Sequence, residues 1–253
     1  MKIVRYRFGD TIDYGIVDGE SIRELQGDVF GDFWKGSEVT TLKEATLLAP
    51  CQPSKIIALG LNYRDHAREV GMAIPKEPLL FLKPSTSVIG PEEKIIYPTM
   101  STQVDYEAEL GAVIRKRCKN VPINSAKDSI LGYTCFNDVT ARDLQKIDRQ
   151  WTRAKGFDTF APIGPWIVTD VDPYKLKVES YLNGELKQSS TTDNLIFNCY
   201  QLLSFISHIM TLLPGDIIAT GTPSGIGPMH VGDRIDIVIE GIGTLTNYVE
   251  KIA

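Results

Sequence analysis

The chain has no apolar run long enough to cross a bilayer. Its longest mostly apolar stretch, 202–213, is interrupted by Ser204, Ser207 and His208 and is too short to span. Positive charge is not in excess either: 27 Lys and Arg face 32 Asp and Glu. A mildly acidic chain lacks the electrostatic footprint of a general nucleic-acid binder. Cys51, Cys118, Cys135 and Cys199 are widely separated and form no CxxC pair. That argues against thiolate zinc and against a disulfide-dense scaffold, and predicts buried reduced thiols. There is no internal repeat or low-complexity segment, and the βα alternation is too irregular for a Rossmann sheet or a TIM barrel. Residues 1–7 alternate like a strand and lack the apolar core of a secretory signal. The expectation is a soluble, cytoplasmic protein with no membrane or nucleic-acid partner.

What is present is an ordinary globular composition. The 253 residues, 43% hydrophobic and 23% charged, suffice for one large domain with a small extension. Residues 1–50 read as a small N-terminal domain, and 51–253 as the main domain. In the first, Val4, Tyr6 and Phe8 alternate as on a half-buried strand, and Asp18-Gly19 suggests a hairpin. Thr41-Leu42-Lys43-Glu44 fits a capping box opening a short helix to about Leu48. In the second, apolar runs predict strands at 55–59, 79–82, 87–89, 104–114, 132–137, 166–169 and 177–182, and Asn183-Gly184 is a type I′ turn signal. Asn62 can cap a helix running to about Met72, another helix follows Val139, and 199–213 has helical spacing that Pro214-Gly215 stops. Strands outnumber helices, which predicts a β-rich, mixed α+β fold.

Five segments carry chemistry. Along 104–113, period-two alternation puts Asp105, Glu107 and Glu109 on one face, with Glu107 and Glu109 about 7 Å apart at a rise of roughly 3.3 Å per residue. Carboxylates this close resist joint ionisation, and a hard cation such as magnesium, manganese or calcium relieves the repulsion. The same alternation also fits the solvated face of an amphipathic strand. Asp138, where a strand gives way to a helix, is either a third oxygen ligand or an ordinary N-cap. Arg142 and Gln145 follow it at i+4 and i+7, suited to a carboxylate and a carbonyl. His66 and Glu69 are i, i+3 neighbours, and a carboxylate so placed makes a better base of an imidazole; a surface contact is the plain alternative. Lys83 follows the apolar run 79–82 and Lys155 sits in Arg153-Ala154-Lys155-Gly156-Phe157-Asp158; either could bind a substrate carboxylate, and neither is specific alone. The Gly-rich loop 219–227 holds Thr222 and has no Gly-Lys-Ser/Thr of a P-loop.

In this order the segments resemble the fumarylacetoacetate hydrolase family. The matching strings are Gly60-Leu61-Asn62-Tyr63 with His66 and Glu69, Phe81-Leu82-Lys83-Pro84-Ser85, Asp105-Tyr106-Glu107-Ala108-Glu109-Leu110-Gly111, Asn137-Asp138-Val139-Thr140-Ala141-Arg142-Asp143, Ala154-Lys155-Gly156-Phe157-Asp158, and Pro214-Gly215-Asp216 with Gly221-Thr222-Pro223-Ser224-Gly225. The resemblance implies a mixed β-sheet roll with a small N-terminal domain, a homodimer, and one divalent ion, Mg2+ or Mn2+, held by Glu107, Glu109 and Asp138. It implies that His66 and Glu69 activate water from a segment that orders over substrate. It also implies that Lys155 takes part in catalysis and that Lys83, Arg142, Gln145 and Thr222 contact substrate or its oxyanion. The implied substrate is a 2,4-dioxo or unsaturated 2-oxo acid, and the implied chemistry runs through a metal-bound enolate. Carbon–carbon hydrolysis of an acylpyruvate comes first, with isomerisation of 2-hydroxyhepta-2,4-diene-1,7-dioate and oxaloacetate decarboxylation or tautomerisation as alternatives. A catalytically silent carboxylate-binding protein on the same fold is the alternative of another class. The stretch between Gln145 and Lys155 is shorter than in mitochondrial acylpyruvate hydrolases of the family, which leaves the substrate tail open.

Overall fold

A computed structural model describes residues 1–251. The chain opens with five strands, β1 (Lys2–Phe8), β2 (Thr11–Asp18), β3 (Ser21–Gly27), β4 (Phe33–Thr41) and β5 (Thr46–Leu48). Then come β6 (Ile56–Leu59), α1 (Arg64–Glu69), β7 (Leu80–Lys83), β8 (Val88–Ile89), β9 (Lys94–Tyr97), β10 (Val104–Tyr106) and β11 (Ala108–Ile114). The middle holds β12 (Ile130–Asn137), β13 (Thr140–Ala141), α2 (Arg142–Ile147), α3 (Thr152–Lys155) and β14 (Ala161–Val168). The chain closes with β15 (Lys177–Leu182), β16 (Glu185–Thr191), α4 (Cys199–Ile209), β17 (Ile217–Ala219), β18 (Gly227–Met229), β19 (Arg234–Ile239) and β20 (Gly243–Lys251).

The strands form a large mixed sheet in the order β4-β3-β2-β1-β14-β12-β11-β17-β6-β7, a five-stranded sheet β16-β15-β19-β20-β9, and a small sheet β13-β10-β18. The five-stranded sheet packs on β11, β12 and β14. Leu110, Ala112, Val178, Ile235 and Ile237 fill the space between, and Leu202, Leu203 and Ile206 of α4 join the same core. A second core on the other side of the large sheet gathers Ile56, Ala58, Val113, Phe136 and Ile217 with Ile3 and Ile16. Every residue of β11 is therefore buried, and its run is near-continuously apolar except at Glu109. The N-terminal strands are not a separate layer, since β1 pairs with β14 and extends the large sheet.

One ribbon positions the site. In β11–β12, Ala108 pairs with Asn137; in β10–β13, Asp105 pairs with Thr140. Both pairings keep the same register, so 104–114 and 130–141 form one antiparallel ribbon, kinked where Glu107 meets Asp138. The Asp138 N–H donates to the Glu107 carbonyl at 2.9 Å, and the Glu107 N–H donates to Asn137 Oδ1 at 3.0 Å. At this kink the ribbon passes from the large sheet into the small one.

Most predicted strands are present, the hairpins at Asp18-Gly19 and Asn183-Gly184 included. Four local expectations are corrected. Thr41–Glu44 closes a turn, with Thr41 Oγ1 donating to Glu44 Oε2 at 3.0 Å, but no helix follows, because Thr46–Leu48 pairs with β1. The strand expected over 104–114 is interrupted at Glu107. Asp138 is not an N-cap: α2 starts at Arg142, with Ala141 as its cap residue. Asn62 caps nothing either, because its amide donates to the Thr220 and Phe197 carbonyls and ties three segments together. The helices are also shorter than their periodicity suggests, α1 ending at Glu69 and α4 at Ile209. All four cysteines are free and buried. Among the described residues, no helix is long and apolar enough to cross a membrane.

Asp216 joins the chain entering β6 to the turn before β17. Its buried carboxylate accepts from Ser54 N–H and Oγ, from Lys55 N–H and Nζ, and from Leu213 N–H. Asp216→Asn keeps the shape but replaces one acceptor by a donor and removes the charge facing Lys55. The expected cost is about 2 to 3 kcal/mol, read as a lower urea midpoint at unchanged m-value.

Candidate active site

Three carboxylates meet at the kink. Strand periodicity brings Glu107 and Glu109 to one face, and the ribbon register sets Asp138 opposite Glu107. Their ligand oxygens lie within 4.8 Å of one another, and all three side chains are buried. Three cations reach this cluster. Lys83 Nζ donates to Asp138 Oδ1 at 2.5 Å and to the Val139 carbonyl at 3.0 Å. Lys155 Nζ donates to Asp138 Oδ2 at 2.5 Å and to Glu107 Oε2 at 3.0 Å. Arg142 donates through Nε to Asp105 at 2.8 Å, through Nη2 to Glu107, and through Nη1 to Gln145 Oε1 at 2.5 Å.

Glu109 is the carboxylate without a cation. Its Oε2 accepts from the Gly221 N–H at 2.8 Å, while its buried Oε1 has no hydrogen-bond partner. Burial, and then the charges of Asp138 and Glu107, push its carboxyl well above the usual carboxylate range. Glu107 goes the other way. Burial disfavours its charge, but Lys155 and then Arg142 outweigh it and hold the carboxyl at about 2. Lys155 follows the same pattern: burial opposes its charge, yet Asp138 and Glu107 keep the ammonium group protonated. Lys83 is pushed down by burial, which Asp138 only partly offsets.

The residues present therefore fit a hard divalent cation. The donors are all carboxylate oxygens, one buried oxygen lacks a partner, and one negative charge lacks a counter-charge. Gly221 makes the arrangement possible. Its φ of +95° disfavours a side chain, and a Cβ there would meet Asn62 Cβ at 2.8 Å. Only glycine brings this N–H to Glu109 without displacing Asn62.

The cluster forms one wall of a cavity of about 370 Å3. Glu107, Arg142, Gln145, Lys155, Thr222 and His66 line it. Glu109 and Asp138 lie buried behind that wall, and so does Lys83, whose ammonium group is used up on Asp138 and Val139. The structure thus places Lys83 as a support for a candidate ligand and not on the cavity wall. His66 Nδ1 lies 2.8 Å from Glu69 Oε2, and Glu69 Oε1 accepts from the Gly225 N–H at 3.0 Å. Glu69 stands off the cavity and anchors α1 to the Gly-rich loop. Gly225, at φ +93° with Lys187 O only 2.3 Å from where a Cβ would sit, is the second position that glycine alone fills.

Two supporting residues, Gln188 and Thr140, escaped the sequence reading, and a third, Asp105, was placed on the right face without its role. Gln188 accepts from the Ala108 N–H and donates to Thr222 Oγ1 and the Pro223 carbonyl, coupling the ribbon to the Gly-rich loop. Thr140 Oγ1 donates to Glu107 Oε1 at 3.1 Å. Asp105 shares Arg142 with Glu107. The position of Asp105 on the Glu107 face was a usable signal; nothing local marked Gln188, which lies 80 residues from its partner Ala108.

Fold and site together define a β-rich protein whose cavity joins a cation-ready carboxylate triad to a His–Glu pair. Residues 55–250 match the family described as Fumarylacetoacetate (FAA) hydrolase C-terminal, and residues 1–50 match the one described as Rv2993c-like, N-terminal. The chain belongs to the fumarylacetoacetate hydrolase family, whose members are enzymes. A Mycobacterium marinum structure described as 2-hydroxyhepta-2,4-diene-1,7-dioate isomerase is 44% identical, with a TM-score of 0.93 over 99% of this chain and 98% of that one. The bovine mitochondrial oxaloacetate tautomerase FAHD2B is 42% identical over 81% of this chain and 70% of its own length. A maleylpyruvate hydrolase from Sphingobium sp. SYK-6, solved with manganese and pyruvate, is 30% identical, with a TM-score of 0.84 and full coverage of both chains.

A raised Glu109 pKa has a definite sign. Without a cation, the stability that protonated Glu109 contributes is present below the ordinary carboxyl pKa and is lost as pH rises through the raised one. A divalent ion displaces that proton, so affinity should fall as pH is lowered. Titrating Mn2+ by calorimetry in buffers of different protonation enthalpy should show release of about one proton at pH below the raised value. Glu109→Gln should abolish the release. Tight binding without proton release in the parent protein would contradict Glu109 as the proton carrier.

Proposed function

We propose that the protein is a divalent-cation-dependent enzyme acting on 2,4-dioxo or unsaturated 2-oxo acids, with hydrolytic C–C cleavage of an acylpyruvate as its foremost reaction. The observation that carries this reading is that His66, Gln145, Lys155 and Glu107 share one cavity, and that Glu107 belongs to the triad with Glu109 and Asp138. Those three residues would hold the ion. A bound Mg2+ or Mn2+ supplies Lewis-acid polarisation of a 2-oxo carboxylate.

The chain's own residues do the rest. Arg142 has its guanidinium engaged with Asp105, Glu107 and Gln145, so it holds the ionic wall rigid. Because Gln145 Oε1 accepts from Arg142, its NH2 group is left to donate to the head of the substrate. His66 takes a proton from water, and Glu69 stabilises the imidazolium that forms. The water oxygen bonds to the distal carbonyl carbon. The bond from that carbon to the methylene then breaks, and its electron pair passes to the pyruvate fragment. That fragment recovers the proton from His66 and leaves as pyruvate beside a free carboxylic acid. The Lys155 ammonium group offsets the negative charge that develops in the cavity.

The comparisons favour a second reading on the same residues. The isomerase and the tautomerase are more similar in sequence than the hydrolase. In that chemistry His66 relays a proton between two positions of the bound 2-oxo acid, and no water attacks.

Purified protein with Mn2+, assayed against acetylpyruvate, fumarylpyruvate, oxaloacetate and 2-hydroxyhepta-2,4-diene-1,7-dioate, separates these readings by product. His66→Ala should lower kcat by about 10²- to 10⁴-fold, the usual contribution of a positioned acid–base group. Glu107→Ala should abolish turnover and weaken Mn2+ binding while the fold persists. Normal metal content and rate in Glu107→Ala would overturn the ligand assignment. Oxalate binding with no turnover of any of the four compounds would mark a carboxylate-binding protein instead.

A further inference from the structure

A second recess, of about 330 Å3, shares no lining residue with the active-site cavity. It is built where the N-terminal strands meet the main body. β1 supplies Arg5 and Arg7, the link between β5 and β6 supplies Gln52, and the turn Ser85–Ser87 that follows β7 supplies Ser85. Ile12 and Val88 add carbon surface.

Strand alternation explains why two cations stand here. Ile3, Arg5 and Arg7 leave β1 on one face. Ile3 enters the second core, and Arg5 and Arg7 continue past its end, the first half-buried and the second exposed. Val4 and Tyr6 turn the other way, into a small cluster with Ile22. β1 is flanked here by both β2 and β5, and the cross-strand neighbours of the two arginines, Tyr14, Ile12, Leu48 and Thr46, are all uncharged. Asp13 pairs with Tyr6 and so stands on the opposite face. Among the described residues, the arginines within 4.0 Å of a carboxylate are Arg23, Arg115, Arg142, Arg153 and Arg234, not Arg5 or Arg7. Glu93 is the acidic residue lining the recess, and its Oε2 already accepts from the Gly90 N–H.

Arg5 and Arg7 are about 7 Å apart along the strand, at a rise of roughly 3.3 Å per residue. Their charges repel each other, and each offers a fork of N–H donors that suits an oxyanion. We propose that this recess binds the phosphate group of a small molecule, inorganic phosphate or a phosphomonoester, with Arg5 and Arg7 holding its oxygens and the Ser85 hydroxyl donating to it. A phosphate suits the recess better than a carboxylate. It carries more than one negative charge near neutral pH, and its three free oxygens can serve two forks and a hydroxyl together. Ile12 and Val88 would cover the organic part of an ester. An occupant joins β1 to the turn that follows Lys83.

Inorganic phosphate and phenyl phosphate, each titrated by calorimetry into the full-length protein with Mg2+ present, test the assignment. Both should bind, and the melting temperature should rise with phosphate concentration as mass action requires. Arg5→Gln should weaken phosphate by about tenfold, the worth of one charge-assisted hydrogen bond. Arg5→Lys should recover only part of that, because an ammonium group keeps the charge without the fork. Glu93→Gln should tighten binding by about threefold, as expected when an exposed like charge is removed, and a damaged fold would not produce such a gain. Tighter binding of phenyl phosphate assigns the recess to a phosphomonoester, and equal affinity assigns it to free phosphate. Binding that is unchanged in the Arg5→Gln, Arg7→Gln double variant would overturn the proposal, since the two arginines would then only cover apolar surface. Failure of both probes to bind would overturn it too, as would a rise in melting temperature that potassium chloride reproduces at equal ionic strength.

Discussion

Four buried or nearly buried carboxylates, Asp105, Glu107, Glu109 and Asp138, face three fixed cations, Lys83, Lys155 and Arg142. One negative charge is left over, and an unpaired charge in so dry a place is costly. The protein meets that cost in one of two ways. Either Glu109 keeps a proton, which its raised pKa allows, or a cation enters. A divalent ion does more than neutralise the cluster, because it leaves one net positive charge beside an open cavity. The same imbalance that suits the site to a cation would then suit the loaded site to an anion, and under the proposed function a 2-oxo carboxylate presents such a charge with a neighbouring carbonyl.

The cluster was partly legible because strand periodicity is a local rule. Glu107 and Glu109 share a face whether or not the ladder is continuous, so the break at Glu107 did not scramble them. Asp138 was legible as a residue but not as a neighbour. Its place depends on the antiparallel register that sets it across from Glu107, and register is a property of two strands, not of one. The N-cap alternative failed for the same reason, since β13 intervenes before α2 begins. Thr41–Glu44 shows the converse case. Thr41 and Glu44 meet side chain to side chain without the reciprocal backbone bonds of a capping box, and the next residues join β1 because pairing there satisfies their backbone more fully than a short exposed helix would. Gln188 could not have been singled out and Asn62 was singled out for the wrong role, as each acts through bonds to chain segments far away in sequence.

The two halves of the site are built with different rigidity. The carboxylates and their cations lie on fully buried strands or are locked by several charge-assisted bonds, and such elements open only with the whole fold. His66 and Glu69 ride on a helix of six residues, too short to be stable by itself. Its attachment to the body runs through a few bonds: Glu69 to Gly225, Arg64 to the Asp193 and Leu195 carbonyls, and Asp65 to Ser190. Glu69 therefore has two tasks, orienting the imidazole through one oxygen and holding α1 to the Gly-rich loop through the other. Because that loop also carries Thr222, and because Gln188 holds Thr222 against the ribbon, movement of the dyad is mechanically tied to the ionic wall.

This division separates what a family of reactions must share from what can vary. Holding a hard ion and a 2-oxo head demands fixed oxygens, and these come from the ribbon, whose kink leaves little freedom to substitute. Choosing between water attack and a bare proton relay depends on whether a water molecule fits between His66 and the substrate. That space is set by the short helix and by how closely α1 sits on the Gly-rich loop at Gly225. Proteins named as isomerase, tautomerase and hydrolase all resemble this chain, and under the proposed function the seating of the helix that carries the dyad is where such reactions would diverge.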